Sequence, residues 1–451
     1  MKKTLMLMAL VASVNAYGGS IDYLAQQDAE YFAHPSMIGK IGTSGAFYNP
    51  AGTVFMEDGT YFKVNAQTIF KDYTMNTDKS ILSKGQNGVH NSDYPSPMVP
   101  SFQFVKKDGD RSYFAHAGIA AGGGTVKYDN GISAFEVIGN EIEKALPILK
   151  PELKGAKVDY LGGTTVEGSS FYYNINFGIA QKLNEKFSVA GGIRLIYATR
   201  ALEGTGNFKI NSKQTLGTDI PVNITLDAER EAYGVGGVIG FNYKPIDRLN
   251  IGFKYETEVE LDFDAKNGKN GLKTSTSSKL ENIPNIKDAI NGIDGALRQK
   301  DVIKEWLVDG NRNLPAMMAL GISYDTTDRL TLLASGNYYF IEQANEDHAY
   351  DNYTNGYEAS IGFDYKLNEK YTLMAGYQYT NTGANEGTYK DTDYALDAHM
   401  YCVGMSYSPN DTRKYTLSYG FVDYQDGTSS ATGTTFEKTV HTIGMSAEFK
   451  L

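Results

Sequence analysis

The stretch from Leu249 to Phe263, LNIGFKYETEVELDF, constrains the fold more than any other part of the chain. Apolar side chains occupy almost every second position, and the positions between them hold Asn, Gly, Lys, Glu and Asp. Alternate side chains of a strand point to opposite faces, whereas a helical period would mix the two sets. The strand would be roughly 15 residues long, against about 5–6 in most globular proteins. The pattern therefore predicts a membrane-spanning strand, with its apolar parity towards lipid and its acids towards a lumen.

The first residues predict export. Lys2 and Lys3 precede an apolar run from Leu5 to Val14, and Val14-Asn15-Ala16 suits cleavage after residue 16. We therefore predict a signal peptide over residues 1–16; the alternative is a short buried N-terminal helix. No later segment reaches the roughly 18 apolar residues that a transmembrane helix needs.

The composition agrees with a barrel and excludes several partners. The chain has 33 Tyr and 48 Gly, and Tyr suits both strands and the boundary between lipid and water. A mean hydropathy of -0.36 fits a barrel whose polar interior offsets its apolar exterior. The net charge of -11 makes nucleic acid an unsuitable partner. The single cysteine, Cys402, excludes an intramolecular disulfide.

Alternating segments and sorted loops extend the prediction to the whole chain. Counting candidate strands gives roughly 14, an even number as in single-chain bacterial barrels. The turns near residues 107–110, 184–185, 245–247, 326–328, 368–369 and 409–411 are short. The loops near 74–97, 129–168, 204–230, 265–313, 343–354, 384–394 and 426–437 are long. We predict an all-β fold, a transmembrane antiparallel β-barrel over residues 58–451 in the bacterial outer membrane, closed by the final strand His441–Leu451.

Two parts of the chain depart from strand alternation. Residues 17–57 are irregular and Gly-rich, and we predict an N-terminal hatch, a segment that plugs the barrel. The loops 129–168 and 265–313 carry apolar residues at helical spacing, so we expect partly helical extracellular loops. These helices either cover the barrel by packing on each other or capture a ligand, because apolar residues on such loops are costly unless they are covered or used.

The sequence carries none of the common short catalytic or metal-binding motifs. The chain lacks GxSxG, HExxH, P-loop, CxxC and EF-hand patterns, and its six His are scattered. We therefore predict no enzymatic activity, no catalytic residue, no metal site and no cofactor.

Several segments together resemble the FadL/TodX (OMPP1) family of outer-membrane transporters for long-chain fatty acids and other hydrophobic compounds. They are Tyr48–Gly52 (YNPAG), Met98–Val105 (MVPSFQFV), Asn174–Leu183 with its turn into Phe187–Ala198, Glu256–Phe263, and Asn313–Ala316 (NLPA). The resemblance covers nearly the whole mature chain. It implies a 14-stranded barrel with a hatch, a groove on the extracellular loops, a deeper apolar pocket, and sideways release through a kinked third strand.

The resemblance and the residues together suggest candidate sites. Asn49, Pro50, Ala51 and Gly52 would form the centre of the hatch. Gly122, Gly123 and Gly124 interrupt the third strand, Ser112–Tyr128, where they predict either the kink of a lateral opening or a barrel bend without a gap.

The ligand-binding candidates are less specific. They are Phe102, Phe104, Arg194 and Arg200. An arginine suits a ligand carboxylate but equally suits an ion pair with Glu256 or Glu258 in the lumen. The family places its helical hairpin in the third long loop, whereas here the second and fourth loops carry the helical patterns.

The leading hypothesis is passive uptake of a hydrophobic molecule such as a long-chain fatty acid by a monomer surrounded by outer-membrane lipid and lipopolysaccharide. The alternatives are a surface adhesin or structural barrel whose loops bind other molecules, and a water-filled porin for small polar solutes.

Overall fold

Fourteen antiparallel strands form a closed barrel in the computed structural model, which describes residues 27–82, 88–345 and 348–451. The strands are β1 (Gly59–Asn76), β2 (Ser96–Asp108), β3 (Arg111–Tyr128), β4 (Thr165–Lys182), β5 (Phe187–Ile210), β6 (Ile220–Ile246), β7 (Leu249–Glu256), β8 (Met317–Asp325), β9 (Leu330–Tyr339), β10 (Gly356–Lys366), β11 (Tyr371–Asn381), β12 (Ala398–Asn410), β13 (Arg413–Tyr424) and β14 (Thr435–Lys450). Short strands at Val89–Ser92, Val158–Tyr160, Asp262–Ala265, Leu272–Ser275, Gly310–Asn311 and Gly427–Thr428 extend the wall.

Strand β14 closes the barrel by pairing with β1 from Tyr61↔Lys450 to Asn76↔Thr435. The side chains alternate as the sequence predicts, with exposed apolar residues such as Leu320 and Ile361 outside and buried polar residues such as Gln103 and Asn174 inside. An outward apolar band and a polar interior are what a barrel in lipid requires. The predicted all-β barrel and its outer-membrane location are confirmed.

The stretch Leu249–Phe263 corrects one prediction. Strand β7 ends at Glu256, and the chain re-enters the sheet only at Asp262–Ala265. Asn250, Lys254 and Glu256 face the lumen, but Val259 is fully buried, whereas Glu260 is exposed. The prediction that all apolar residues of this stretch face lipid and all acids face the lumen is therefore wrong beyond Glu256, because an irregular segment reverses the side-chain parity.

The predicted bounds of the third long loop are also wrong. Strands β5 and β6 remain paired up to Ile210↔Ile220, so residues 211–219 connect them where the sequence suggested 204–230. The two strands extend well beyond the rest of the wall, since alternating apolar residues such as Phe208 and Val222 continue to pack inward.

The N-terminal segment fills the lumen. It contains three 3-10 helices, Ala29–Phe32, Thr43–Ala46 and Pro50–Phe55, of which nearly every residue is buried. The predicted signal peptide and residues 17–26 of the predicted hatch lie outside the described residues. We call residues 27–57 the hatch segment.

The extracellular loops carry the helices. Their longer members are α1 (Ile138–Leu149), α2 (Pro284–Leu297) and α3 (Asp301–Leu307), which lie in the two loops predicted to be partly helical. Shorter helices lie at Ser133–Glu136, Lys213–Leu216 and Ser278–Glu281, and 3-10 turns at Lys79–Ile81, Pro151–Leu153, Gly268–Gly271 and Glu342–Ala344. Within the described ranges, none of the helices has the length and apolar content to cross a membrane.

Candidate functional site

Strand β3 is kinked at its glycines. Gly122 and Gly124 have φ angles of 100° and 71°, in the region that L-residues with side chains rarely adopt. The register with β4 shifts twice there, between Ile119 and Ala121 and between Ala121 and Gly124. A Cβ atom on Gly122 would lie 2.3 Å from the carbonyl oxygen of Ser170. Only glycine therefore fits this bulge, where the strand leaves its regular path.

The ladder between β2 and β3 stops below this kink. Its last described pair is Phe102↔Ala117, although both strands continue towards the extracellular side. Further up, the Lys127 amide donates a hydrogen bond to Ser92 Oγ at 3.1 Å. At the same level, the buried Lys71 side chain of β1 donates a hydrogen bond to the Thr125 carbonyl of β3. The wall thus has a bounded break in its hydrogen bonding, which we call the β2–β3 break.

Gln27, at the start of the hatch segment, crosses the β2–β3 break from inside. Its carbonyl accepts hydrogen bonds from Ser101 Oγ (2.6 Å) and Gln103 Nε2 (2.9 Å) of β2. Its side-chain amide donates to the Ile119 carbonyl of β3. A single hatch residue therefore bonds to both strands at the point where they no longer bond to each other.

An apolar cavity lies above the hatch and beside the kink. Its free space, including space open to the surroundings, is about 880 Å³, and it reaches Gly124 of β3. Apolar and aromatic side chains from strands on opposite walls and from α3 line it: Tyr73, Val126, Tyr128, Ile132, Val166, Leu202, Trp306 and Tyr394. A concave, mostly apolar lining with a few polar groups is typical of small-molecule sites. We call this cavity the chamber.

Three cationic side chains line the chamber, and they differ in their interaction partners. Arg312 forms an ion pair with Asp393 at 2.8 Å. Lys438 donates to the Tyr394 carbonyl at 2.7 Å and lies 4.0 Å from the centre of the same ring. The half-buried Arg200 lies 4.9 Å above the Trp306 ring, and no carboxylate of the described residues is within ion-pair distance of it. Arg200 is therefore the chamber arginine that remains available to an anionic group.

Arg194, the other arginine candidate, lies deeper in the barrel and is already paired. Its guanidinium is 3.1 Å from Glu256, which also binds Lys254 at 2.9 Å. The Lys254 ammonium in turn lies 3.9 Å from the centre of the Phe47 ring of the hatch segment. The structure does not bring Arg194 and Arg200 into one site, and Arg194 serves the contact between wall and hatch.

Phe102 and Phe104 lie on the opposite side of the wall from the chamber. Their side chains are 41% and 36% exposed on the outer face of β2. Residues of that parity face lipid, so neither side chain lines the chamber. Their predicted contact with a ligand stays a prediction.

The motif Asn49–Gly52 anchors the hatch segment to the periplasmic half of the wall. Asn49 caps a 3-10 helix by accepting from the Gly52 amide at 3.0 Å, and its amide donates to Asn242 Oδ1 at 2.8 Å. Pro50 takes the first position of that helix, where a missing N–H costs nothing. The Ala51 carbonyl accepts from Ser188 Oγ at 2.6 Å. The motif positions the hatch segment and does not contact the chamber.

The barrel, its luminal segment and its apolar chamber match one known family. The sequence profile of the outer membrane protein transport proteins (OMPP1/FadL/TodX) matches residues 160–448. The chain belongs to this family. Members of this family are transport channels of the outer membrane and not enzymes.

Individual relatives are more distant. Outer membrane protein P1 of Haemophilus influenzae is 24% identical over 278 residues, which are 55% of each chain, so the chain spans about half the length of this curated relative. A FadL homologue of Pseudomonas aeruginosa is 15% identical, with coverage of 97% of this chain and 100% of that one and a TM-score of 0.66. The toluene transporter TodX of P. putida is 14% identical, with 97% and 99% coverage and a TM-score of 0.62. These structures support the fold.

Sequence reasoning missed several residues of this FadL/TodX-family site. Trp306 is the only tryptophan of the chain, and its apolar position on a loop helix was a usable signal. Lys438, which lines the chamber, and Lys71, which donates to the Thr125 carbonyl, both occupy the inward parity of their strands. An inward lysine among apolar residues was a usable signal. Gln27 carried no signal, because its role depends on a break between two distant strands.

Proposed function

We propose that this protein carries hydrophobic molecules with a terminal carboxylate, long-chain fatty acids foremost, from the cell surface into the outer membrane. The observation that carries the proposal is the apolar chamber beside the β3 kink, with Arg200 on its wall and no carboxylate partner for Arg200 among the described residues. Each buried CH₂ is worth about 0.8 kcal/mol, so an acyl chain supplies most of the affinity. The guanidinium supplies orientation and a preference for carboxylates.

Capture would begin between the loop helices. A groove between α1 and α2 is lined by Ile142, Ala145, Ile148 and Ile293, and Ile148 is 85% exposed. Lys144 and Lys300 also line this groove, and both form ion pairs with Glu141 there. The exposed apolar strip therefore suits a first contact with the hydrophobic part of the ligand.

Release would occur sideways through the β2–β3 break. The break lies beside the chamber, and Gln27 is the residue that bonds both of its edges. We propose that displacement of Gln27 opens this path to lipid. An apolar chain then leaves without crossing the buried polar contacts of the hatch segment below.

We propose that the protein acts as a monomer surrounded by outer-membrane lipid and lipopolysaccharide. Apolar side chains exposed on the outer face of the wall, such as Leu320 and Ile361, suit direct contact with lipid.

A binding experiment tests the proposal. The purified protein in neutral detergent should bind radiolabelled oleate saturably, and excess unlabelled oleate should compete. Non-saturable binding, or saturable binding that Trp306→Ala and Arg200→Gln together leave unchanged, would contradict the assignment of the chamber.

A further inference from the structure

The barrel wall has a second break, between β6 and β7. The ladder of these strands ends at Val238↔Glu256, and pairing with β6 resumes only at Asp264↔Glu231. Among the described residues, no ladder pair joins residues 232–237 of β6 to this neighbouring part of the chain, although Thr257 bonds Gly237 at the lower edge. The gap spans roughly 16 Å of strand at about 3.3 Å per residue.

The segment 257–261 closes this break from inside. Val259 exchanges two backbone hydrogen bonds with Leu314, at 3.0 and 2.9 Å, so the segment belongs to the wall on the β8 side. Val259 and Leu261 are fully buried against Gly234 and Gly236 of β6. A Cβ atom on Gly234 would lie 2.3 Å from Val259 Cγ1. The contact is too close to leave a passage into the lumen, so the break forms a hollow that opens outward.

The outer hollow is large and apolar on the β6 side. It holds about 1,100 Å³ of space, including space open to the surroundings, between Leu195, Tyr233 and Val235 on one side and Glu258 and Glu260 on the other. Tyr233 and Val235 are 70% and 67% exposed, because β5 borders them on one side and, within the described residues, no strand pairs with β6 on the other side at this level. We call this feature the outer hollow.

Its height places the outer hollow at the lipid head groups. Tyr233 lies thirteen residues above Ile246 (246 − 233), the periplasmic end of β6. At about 3.3 Å per residue and a tilt of about 40°, that is roughly 33 Å, beyond an apolar band about 25 Å tall. Tyr173, Tyr197 and Tyr233 stack at 6.0 and 4.7 Å on this level, as expected for an aromatic belt at the interface.

The charge of the outer hollow selects its occupant. Glu258 accepts a hydrogen bond from Asn313 Nδ2 at 2.8 Å, and Glu260 is exposed. Within the described residues, neither carboxylate has a cationic partner. Two carboxylates without a cationic partner give this part of the wall a negative local potential. An anionic lipid would be repelled, whereas a positively charged head group would be attracted.

We propose that the outer hollow binds an amphiphile with a cationic head group, such as a long-chain primary amine. Its chain lies along Leu195, Tyr233 and Val235, and its ammonium group lies between Glu258 and Glu260. This site has the opposite charge preference to the chamber, where Arg200 favours a carboxylate. It is separate from the chamber and does not rest on the uptake proposal.

Photolabelling in nanodiscs of zwitterionic phospholipid tests this site. A diazirine-bearing long-chain alkylamine should label the peptide that contains Tyr233 and Val235, and a diazirine fatty acid of equal length should not. Glu258→Gln with Glu260→Gln should reduce the amine labelling about fivefold, as expected for two partly exposed charge pairs. The matched control is Glu167→Gln with Glu203→Gln. It removes two exposed carboxylates that lie opposite each other on β4 and β5.

Charge reversal makes the test decisive. Glu258→Lys with Glu260→Lys should transfer labelling of this peptide from the amine to the fatty acid. Equal labelling by both probes in the unmodified protein, or amine labelling that persists in the Gln pair at the control level, would overturn the proposal. The intact barrel in each variant is established by its resistance to unfolding in cold detergent.

Discussion

Replacement of Arg200 by glutamine separates the charge preference of the chamber from its apolar affinity. The Arg200 guanidinium lies 4.9 Å from the centre of the Trp306 ring and has no acidic partner among the described residues. A fatty-acid carboxylate would replace the ring as its partner. Glutamine keeps a donor of similar reach and removes the charge.

The size of the effect follows from two opposing contributions. A hydrogen bond to a charged group contributes about 1.5–3 kcal/mol, and release of a partly exposed cation from a ring costs about 0.5–1 kcal/mol. The difference of about 1–2 kcal/mol corresponds to roughly five- to thirtyfold weaker oleate binding. Binding of oleyl alcohol, which has the same chain and no charge, should stay within about twofold.

Tryptophan fluorescence provides the assay, because Trp306 is the only tryptophan of the chain and lines the chamber. Titrations with oleate and oleyl alcohol give both affinities for Arg200→Gln and for the matched control Arg194→Gln. Arg194 already binds Glu256, and Lys254 keeps that carboxylate paired after its removal. Equal losses for acid and alcohol, or a larger loss of oleate binding in the Arg194 variant, would refute the reasoning.

Three further predictions concern the hatch segment and the kink. Asn49→Ala removes a helix cap worth about 1 kcal/mol, and single-channel recordings should show more frequent ion-conducting openings than the unmodified barrel. Burial opposes ionisation of Glu30, but Lys40, Lys414 and Lys63 hold its pKa well below the usual range. Glu30 therefore stabilises the hatch above about pH 4.3 and loses this effect as pH falls through its folded-state pKa, so acid should raise conductance, and Glu30→Gln should conduct already at neutral pH. Gly122→Ala combines a positive φ with a Cβ 2.3 Å from the Ser170 carbonyl oxygen, so it should lower the unfolding temperature, while Gly191→Ala, with open space around it, should not.

Local sequence patterns predicted the barrel but not the direction and the partners of individual side chains. Strand alternation, short turns and long loops are properties of neighbouring residues, so the strand number and the closing strand followed from them. The parity reversal after Glu256 did not, because it depends on hydrogen bonds to Leu314, more than fifty residues away. The full length of β5 and β6 was not predicted, because the Gly and polar residues within 204–230 are typical of a loop.

The same distinction applies to the site. Arg194 and Arg200 share an inward parity, and both were predicted as carboxylate ligands with nothing to distinguish them. Their difference arises from partners on other elements, Glu256 on β7 and Trp306 on α3. Which arginine is neutralised is therefore a tertiary property. The Gly122–Gly124 run, in contrast, was readable, since a glycine run inside a strand signals an irregular backbone wherever it occurs.

Lateral release through the β2–β3 break is the central claim, and a reversible seal tests it most directly. In a Cys402→Ala background, Met98→Cys and Ala117→Cys place thiols on the outer faces of β2 and β3 beside the break and leave the contacts of Gln27 intact, and a short linker with two maleimide groups joined by a reducible disulfide connects them. Uptake of radiolabelled oleate by cells should stop on linking and recover on reduction, while the same treatment of Ala375→Cys with Val403→Cys on the intact β11–β12 ladder leaves uptake unchanged. Undiminished uptake with the Met98–Ala117 link verified by mass spectrometry would contradict the account.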